Sequence, residues 1–376
     1  MASRYEDVPR NAHSESMPTL TDSMVFDMER SRGVWLYESS QQRDYLDLTG
    51  SFQRLELGYN HRSFRALRTQ VSEKVQEQQL ESLRERLLAS CRGPYKVWLG
   101  ASLDEVYEWT VCRALNQGAA GARIVELRWE DTADSEVLAQ SCADELEWTA
   151  PLALEEAFRE DEEPVAGLWV ELPSVAQPML PELQRWLGEL EKLCREQGAL
   201  LILDEVNSGF GRSGLWWDWL HFELSPDLVI FGGKGKVSGV FSHARVAISA
   251  EDGMGAPKAS QVASSESLLD VIEEEGLLGH ADVMGRYLIK VLEDLQSTFH
   301  QIEAVSSRGL RASFRLPSEA DRDRLLAACL DENLILLALG ERSVGFYPPL
   351  DVRPDAIGRA AAQLEVALQA VYEGQP

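Results

Sequence analysis

What this chain lacks narrows its role before any motif is read. No apolar run approaches the ~18 residues a membrane-spanning helix needs, so none is expected. The N-terminus, MASRYEDVPRNAHSESM, has no apolar core of the kind a secretory signal carries. Cys91, Cys112, Cys142, Cys194 and Cys329 are scattered, odd in number and never paired as CxxC. That suits a reducing cytoplasm and supplies no metal site. The histidines are equally dispersed; only His61 and His243 stand in motif-like surroundings, and surface or core positions account for all six. Basic residues are short too. Lys plus Arg number 36 against 62 Asp plus Glu, a net charge of −26 and a pI near 4.6. Such a chain repels the phosphates of nucleic acid and of anionic membranes. A salt-rich setting and simple solubility explain the acidity equally well. A GxxxxGK[ST] loop is also missing, which removes the nucleotide-binding reading of any Asp-Glu strand end.

What remains is an ordinary soluble composition, 44% hydrophobic and 26% charged, long enough for two domains. The chain is organised around Leu200 to Gly239, LLILDEVNSGFGRSGLWWDWLHFELSPDLVIFGGKGKVSG. The apolar run Ala199 to Leu203 stops at Asp204-Glu205 and reads as a strand buried on both faces of a parallel sheet. Ligands of such sheets sit at the strands' carboxyl ends, where Asp204 falls. A second strand, Leu228 to Phe231, runs into Gly232-Gly233-Lys234-Gly235-Lys236. An acid at one strand end and lysines at the next make a site; the bland alternative is a turn cap and glycines that bend the chain.

Along the chain, residues 1 to about 30 read as a loose arm and Val34 to Leu48 as a hairpin. Ser63 to Ser90 has the spacing of one long helix, and Lys96 to Gly100 that of a short strand. Ser102, with Glu105 three residues on, then opens a helix in the capping-box pattern. A turn such as Gly100-Ala101-Ser102 at a helix N-terminus also binds phosphate, because unpaired N–H groups and the helix dipole face the anion. Arg123 to Arg128, Val165 to Leu172 and His243 to Ser249 read as further strands, and Pro181 to Gln197 as a crossover helix. Glu155 to Glu163 reads as a helix end and a solvated acidic loop. Trp216, Trp217 and Trp219 form an aromatic cluster of the core or of a dimer interface. A helical stretch, Ser264 to Phe299, breaks near Gly276–Gly279. After it come a strand (Leu310–Leu316), a helix (Ala320–Asp331), a strand (Leu334–Leu339) and a last helix (Pro354–Tyr372).

LLILDEVNSGFGRSG followed by SPDLVIFGGKGKVSG resembles the core signature of class III aminotransferases, fold-type-I enzymes that use pyridoxal phosphate. The likeness is greatest to the L-lysine 6-aminotransferase branch, with its P-D-x-V-x-F-G-K-K-x-x-V-x-G pattern. Leu57-Gly-Tyr-Asn-His61, Arg308 to Pro317 and Phe346-Tyr-Pro-Pro-Leu350 extend the resemblance. It implies a large domain with a mostly parallel seven-stranded-type sheet and a small C-terminal α/β domain. The corresponding division is 1–60 packing with the small domain, 61–250 as the large domain, and 251–376 as linking helix and small domain. The resemblance also implies pyridoxal phosphate as cofactor, with Gly100, Ala101 and Ser102 at its phosphate, Asp204 at its pyridinium and Asn207, in place of glutamine, near its phenolic oxygen. A homodimer, or a heterodimer with an active relative, is implied as well.

Several parts of the pattern are replaced. Ungapped alignment puts Gly233 at the aldimine lysine, with Lys234 one residue later and Lys236 two further. Gly345 stands at the arginine clamp, and Gly253-Met-Gly-Ala-Pro-Lys258 replaces the T-x-G-G-N stretch that reaches a partner's phosphate. Trp129 to Asp134 replaces the ring-stacking loop, and Pro173 to Pro178 a glycine-rich turn. The expectation is a cytoplasmic, catalytically inactive homologue with weak, non-covalent cofactor binding at best. Two alternatives stay open: an active enzyme using Lys234, and an enzyme without pyridoxal phosphate that reuses the cleft near Asp204.

Overall fold

Four parallel strands, the inner three apolar on both faces, fix the centre of the molecule. The computed structural model describes residues 24–53, 55–67, 77–119, 122–127, 158, 164–172, 181–233, 236–249 and 253–372. In chain order these form β1 (Phe26–Arg32), β2 (Trp35–Glu38), β3 (Arg43–Asp47), α1 (Gly50–Gln53), α2 (Arg62–Leu67), α3 (Glu77–Ala89), β4 (Tyr95–Gly100), α4 (Leu103–Gln117), β5 (Arg123–Leu127) and β6 (Val165–Glu171). There follow α5 (Pro181–Gln197), β7 (Leu200–Asp204), β8 (Leu228–Phe231), β9 (Ser238–His243), α6 (Ala259–Glu274), α7 (Leu277–Thr298), β10 (Glu303–Arg308) and β11 (Arg311–Arg315). The chain ends with α8 (Glu319–Asp331), β12 (Leu334–Ile335), β13 (Leu337–Leu339), β14 (Ser343–Phe346) and α9 (Pro354–Tyr372).

The central sheet has the order β4-β9-β8-β7-β6-β5, six strands among the described residues. β5 to β8 pair in parallel, and β9 alone runs against its neighbours β4 and β8. Ile202 and Trp169 face α4, packing with Val106, Trp109 and Ala114. Leu201, Leu203, Leu168 and Val170 join the cluster that includes Leu183, Trp186, Leu187 and Leu190 of α5. Helices on both faces explain why these strands read as unbroken apolar runs.

Two smaller sheets complete the fold. One has the order β1-β2-β3-β12, with β12 parallel to β3; the other has the order β10-β11-β14-β13. Residues 26 to 32 therefore form a strand where a loose arm was expected; residues 1–23 lie outside the described residues. Of the long helix expected over Ser63 to Ser90, the described parts are helical as α2 and α3; 68–76 lie outside the described residues. The last strand of the central sheet is Ser238–His243, and residues from Ala244 turn away from it. Ser238 and Ser242 are buried in that strand, accepting hydrogen bonds from the Gly233 N–H (3.0 Å) and the Trp98 indole (2.9 Å). Partnered serines mask a buried strand from hydrophobicity alone.

The tryptophan cluster belongs to the core. Trp217 and Trp219 are buried, and Trp217 meets Phe210 and Phe241 edge-to-face and donates to Ser90 Oγ at 2.8 Å. They are thus withdrawn from any subunit contact. Next to them Asp218 opens a short turn, Asp218–His221, and is completely buried. Its carboxylate accepts from Arg308 Nε at 2.5 Å and from Arg311 at 2.8 Å, the ends of β10 and β11. This ion triad clamps the strand-end loop after β7 to the C-terminal sheet. Asp218→Ala leaves two arginines uncompensated in the interior and is expected to cost about 3–5 kcal/mol. A urea midpoint unchanged from wild type would show that the clamp carries no stability.

Candidate site at the strand ends

Because β4 is parallel to β8 through β9, the carboxyl ends of β4, β6, β7 and β8 share one edge of the sheet. That edge is where ligands of open α/β sheets bind. Asp204 ends β7, half-buried, and its Oδ1 accepts the Val206 N–H at 3.0 Å. It lies opposite Glu171, the last residue of β6. Asn207 donates its amide to Glu171 Oε1 at 3.0 Å, so it is tied to the neighbouring strand end. Gly233, after β8, lies against both flanking segments. A Cβ there would stand 3.3 Å from Leu103 Cδ2 and 3.6 Å from Val206 Cγ1. The structure thus brings together the β4–α4 turn, the turn after Asp204 and the turn after β8, the juxtaposition expected from the sequence.

The turn Gly100-Ala101-Ser102 caps α4 as expected, Ser102 Oγ accepting the Glu105 N–H at 3.1 Å. Glu105 does something the capping pattern did not indicate. One carboxylate oxygen accepts the Ala101 N–H at 2.7 Å, and the other accepts the Gly255 N–H at 2.7 Å. A side chain of the helix therefore takes one donor from the turn before its N-cap and one from the loop ahead of α6. The packing is close: a Cβ at Gly255 would stand 3.2 Å from Ala101 Cβ and from Glu105 Oε1. A Cβ at Gly100 would stand 2.8 Å from Val106 Cγ2 and 3.1 Å from Met254 Sδ.

The lysines divide. Lys234 lies outside the described residues, as do Trp129 to Asp134 and Pro173 to Pro178. Lys236 is buried, its ammonium paired with Glu56 and 4.6 Å above the Phe210 ring. Burial pushes its pKa down, and Glu56 opposes that shift. Gly345 lies inside β14, where a Cβ would meet Leu339 Cδ1 at 2.5 Å, so any side chain there requires Leu339 to move. Arg212 is buried near it, donating to the carbonyls of Tyr347 (3.0 Å), Pro348 and Leu55 (2.8 Å). It braces the Pro348–Pro349 turn from below. Among the described residues no cluster of His, Cys, Asp or Glu has metal-binding form, and no helix is long and apolar enough to cross a membrane.

Comparison with known proteins sets this edge in context. The family description "Aminotransferase class-III" matches residues 119–368, and the chain belongs to that family. The L-lysine-epsilon aminotransferase of Mycobacterium tuberculosis is 35% identical over 196 residues, 50% of this chain and 44% of that protein. The matched stretch is thus less than half of that relative's length. Acetylornithine aminotransferase 1 of Bordetella pertussis is 25% identical over 370 residues, 90% of this chain and 93% of its own. Among solved structures, lysine aminotransferase from M. tuberculosis in its internal aldimine form superposes with a TM-score of 0.72 at 25% identity, over 95% of this chain and 97% of that one. The fold is that of the fold-type-I pyridoxal phosphate aminotransferases.

Among the described residues, the arrangement at this edge does not fit that cofactor. The Ala101 N–H of the Gly100–Ser102 turn is taken by Glu105, and a phosphate brought there would meet a carboxylate of its own sign. Asn207 is held by Glu171, and apolar Leu103 and Val206 pack against Gly233.

The second acid of the Asp204-Glu205 pair is buried beside the site, a placement the sequence did not indicate. Glu205 accepts from Ser208 Oγ (2.5 Å), Trp219 N (2.6 Å) and Asp218 N (3.1 Å). Burial pushes its carboxyl up to about 7 from an ordinary 4.5, and the Asp218 charge adds to the shift. Burial opposes ionisation of Asp218 as well, yet Arg308 and Arg311 hold its pKa down. An acid raised in the folded state favours folding below its ordinary value and loses that contribution as pH rises through about 7. Wild type should therefore lose stability relative to Glu205→Gln between pH 5 and 8, read as the difference in Tm across that range. A flat difference would contradict the buried, protonatable state.

Proposed function

We propose that this class III aminotransferase-fold protein does not transfer amino groups and acts as a binding, regulatory or partner subunit. It pairs with itself or with an active relative. The observation that carries this reading is Gly233. It holds the position where the family signature places the aldimine lysine, and its backbone is left-handed at φ +77°. That conformation disfavours every L side chain by about 1–2 kcal/mol, and Leu103 and Val206 line the space a side chain would enter. Lys236 does not replace it, since its ammonium is buried on Glu56. Gly345 removes the arginine that holds a substrate carboxylate, and a scaffold kept without these groups favours a role in binding over catalysis.

The two relatives named above are an L-lysine-epsilon aminotransferase and an acetylornithine aminotransferase, so L-lysine and N-acetylornithine are the substrates to test. With L-lysine or N-acetylornithine as donor, 2-oxoglutarate as acceptor and excess pyridoxal phosphate, no amino-group transfer above background is expected. Gly233→Lys is expected to stay inactive and to unfold at lower urea than wild type. Turnover by the wild-type protein overturns the proposal.

A further inference from the structure

The disagreement between the strand-end turn and a phosphate-bearing ligand has a definite cause in one side chain. Glu105 leaves α4 at its first turn, and its two oxygens reach two different segments, the Ala101 N–H and the Gly255 N–H. The Gly255 segment is itself anchored. Lys258 N–H donates to Gln261 Oε1 at 2.9 Å at the start of α6, and Gln261 Nε2 donates to the Lys236 carbonyl at 3.2 Å. The carboxylate is therefore the meeting point of the β4–α4 turn and the loop ahead of α6, both of which contribute backbone donors. Met254 Sδ and Val206 close the same region with apolar atoms beside Gly100 and Gly233.

We propose that Glu105 is a built-in occupant of this anion-binding turn: the chain's own carboxylate takes the donors that an external phosphate would take, and keeps the turn closed to phosphate. Charge decides the direction. The donors and the helix dipole stabilise one negative group. With Glu105 in place, a second anion meets repulsion and must displace two charge-assisted hydrogen bonds. Removing the carboxylate frees both N–H groups and leaves the Ser102 hydroxyl beside them. The inference rests on the reading that this turn is the family's phosphate position, and not on the loss of amino-group transfer.

The test compares wild type with Glu105→Ala and Glu105→Gln. Binding is followed by quenching of tryptophan fluorescence, with pyridoxal phosphate, pyridoxal without its phosphate, and inorganic phosphate as probes. Relative to wild type, Glu105→Ala should gain about tenfold or more in affinity for the two phosphate-bearing probes. Pyridoxal should gain nothing. Glu105→Gln keeps the shape and one acceptor, and should gain less than the alanine variant. Equal phosphate affinity in wild type and a folded Glu105→Ala overturns the inference, as does an equal gain for pyridoxal. If the alanine variant does not fold, hydrogen exchange on wild type decides. The Ala101 and Gly255 amides should be protected without phosphate and unchanged when inorganic phosphate is added; added protection overturns the inference. Turnover by wild type would sink the inactive reading, whereas a phosphate affinity insensitive to Glu105 would sink only this one.

Discussion

The strand-end architecture depends on charge buried at Asp218. The loop leaving β7 carries Glu205, Arg212, the buried tryptophans and Asp218 within a short span, and it must return to β8 while covering the sheet edge. Burying an ionised carboxylate costs several kcal/mol unless it is fully paired. Arg308 and Arg311 supply that pairing from the C-terminal sheet, so the loop's path and the seat of that sheet are fixed by the same contact. Arg212 extends the fastening to the backbone carbonyls of Leu55 and Tyr347, joining the N-terminal segment to the Pro348–Pro349 turn. The scaffold around the candidate site is therefore held by polar contacts that have no need of a ligand.

Within that scaffold, among the described residues, four polar groups at or beside the edge of the sheet have internal partners. Glu105 holds the donors of the β4–α4 turn, Glu171 holds Asn207, Glu56 holds Lys236, and Ser238 accepts the Gly233 N–H. Binding sites usually keep some polar groups for a ligand, and catalytic groups are usually perturbed toward a task. Here each internal partner lowers the gain that an incoming anion or amine would bring.

Much of the fold was legible because the sheet is buried on both faces. Leu200 to Asp204 and Leu228 to Phe231 showed as apolar runs ending in turn residues, and α5 and α9 were bounded by proline and by the end of their apolar spacing. The misses have physical reasons. LILLAL from Leu334 reads as one strand because every residue is buried, yet Leu336 separates β12 from β13 and sends them to different sheets. β14 is short and carries Ser343 and Gly345, and β9 carries buried serines, so neither shows as hydrophobic. The position of Asp204 at a strand end was correct because strand ends follow from the apolar pattern. The partners of Glu105, Asn207 and Lys236 were not legible, since each contact joins segments distant in sequence or depends on side-chain direction within a turn.

The central claim is that this edge of the sheet no longer holds a covalent cofactor. It is tested most directly by incubating the purified protein with pyridoxal phosphate, reducing with borohydride and mapping peptides by mass spectrometry. The account predicts no pyridoxyl mass on any lysine of the GGKGKVSG segment. A stoichiometric pyridoxyl adduct on Lys234 would contradict it and show the aldimine lysine displaced by one residue.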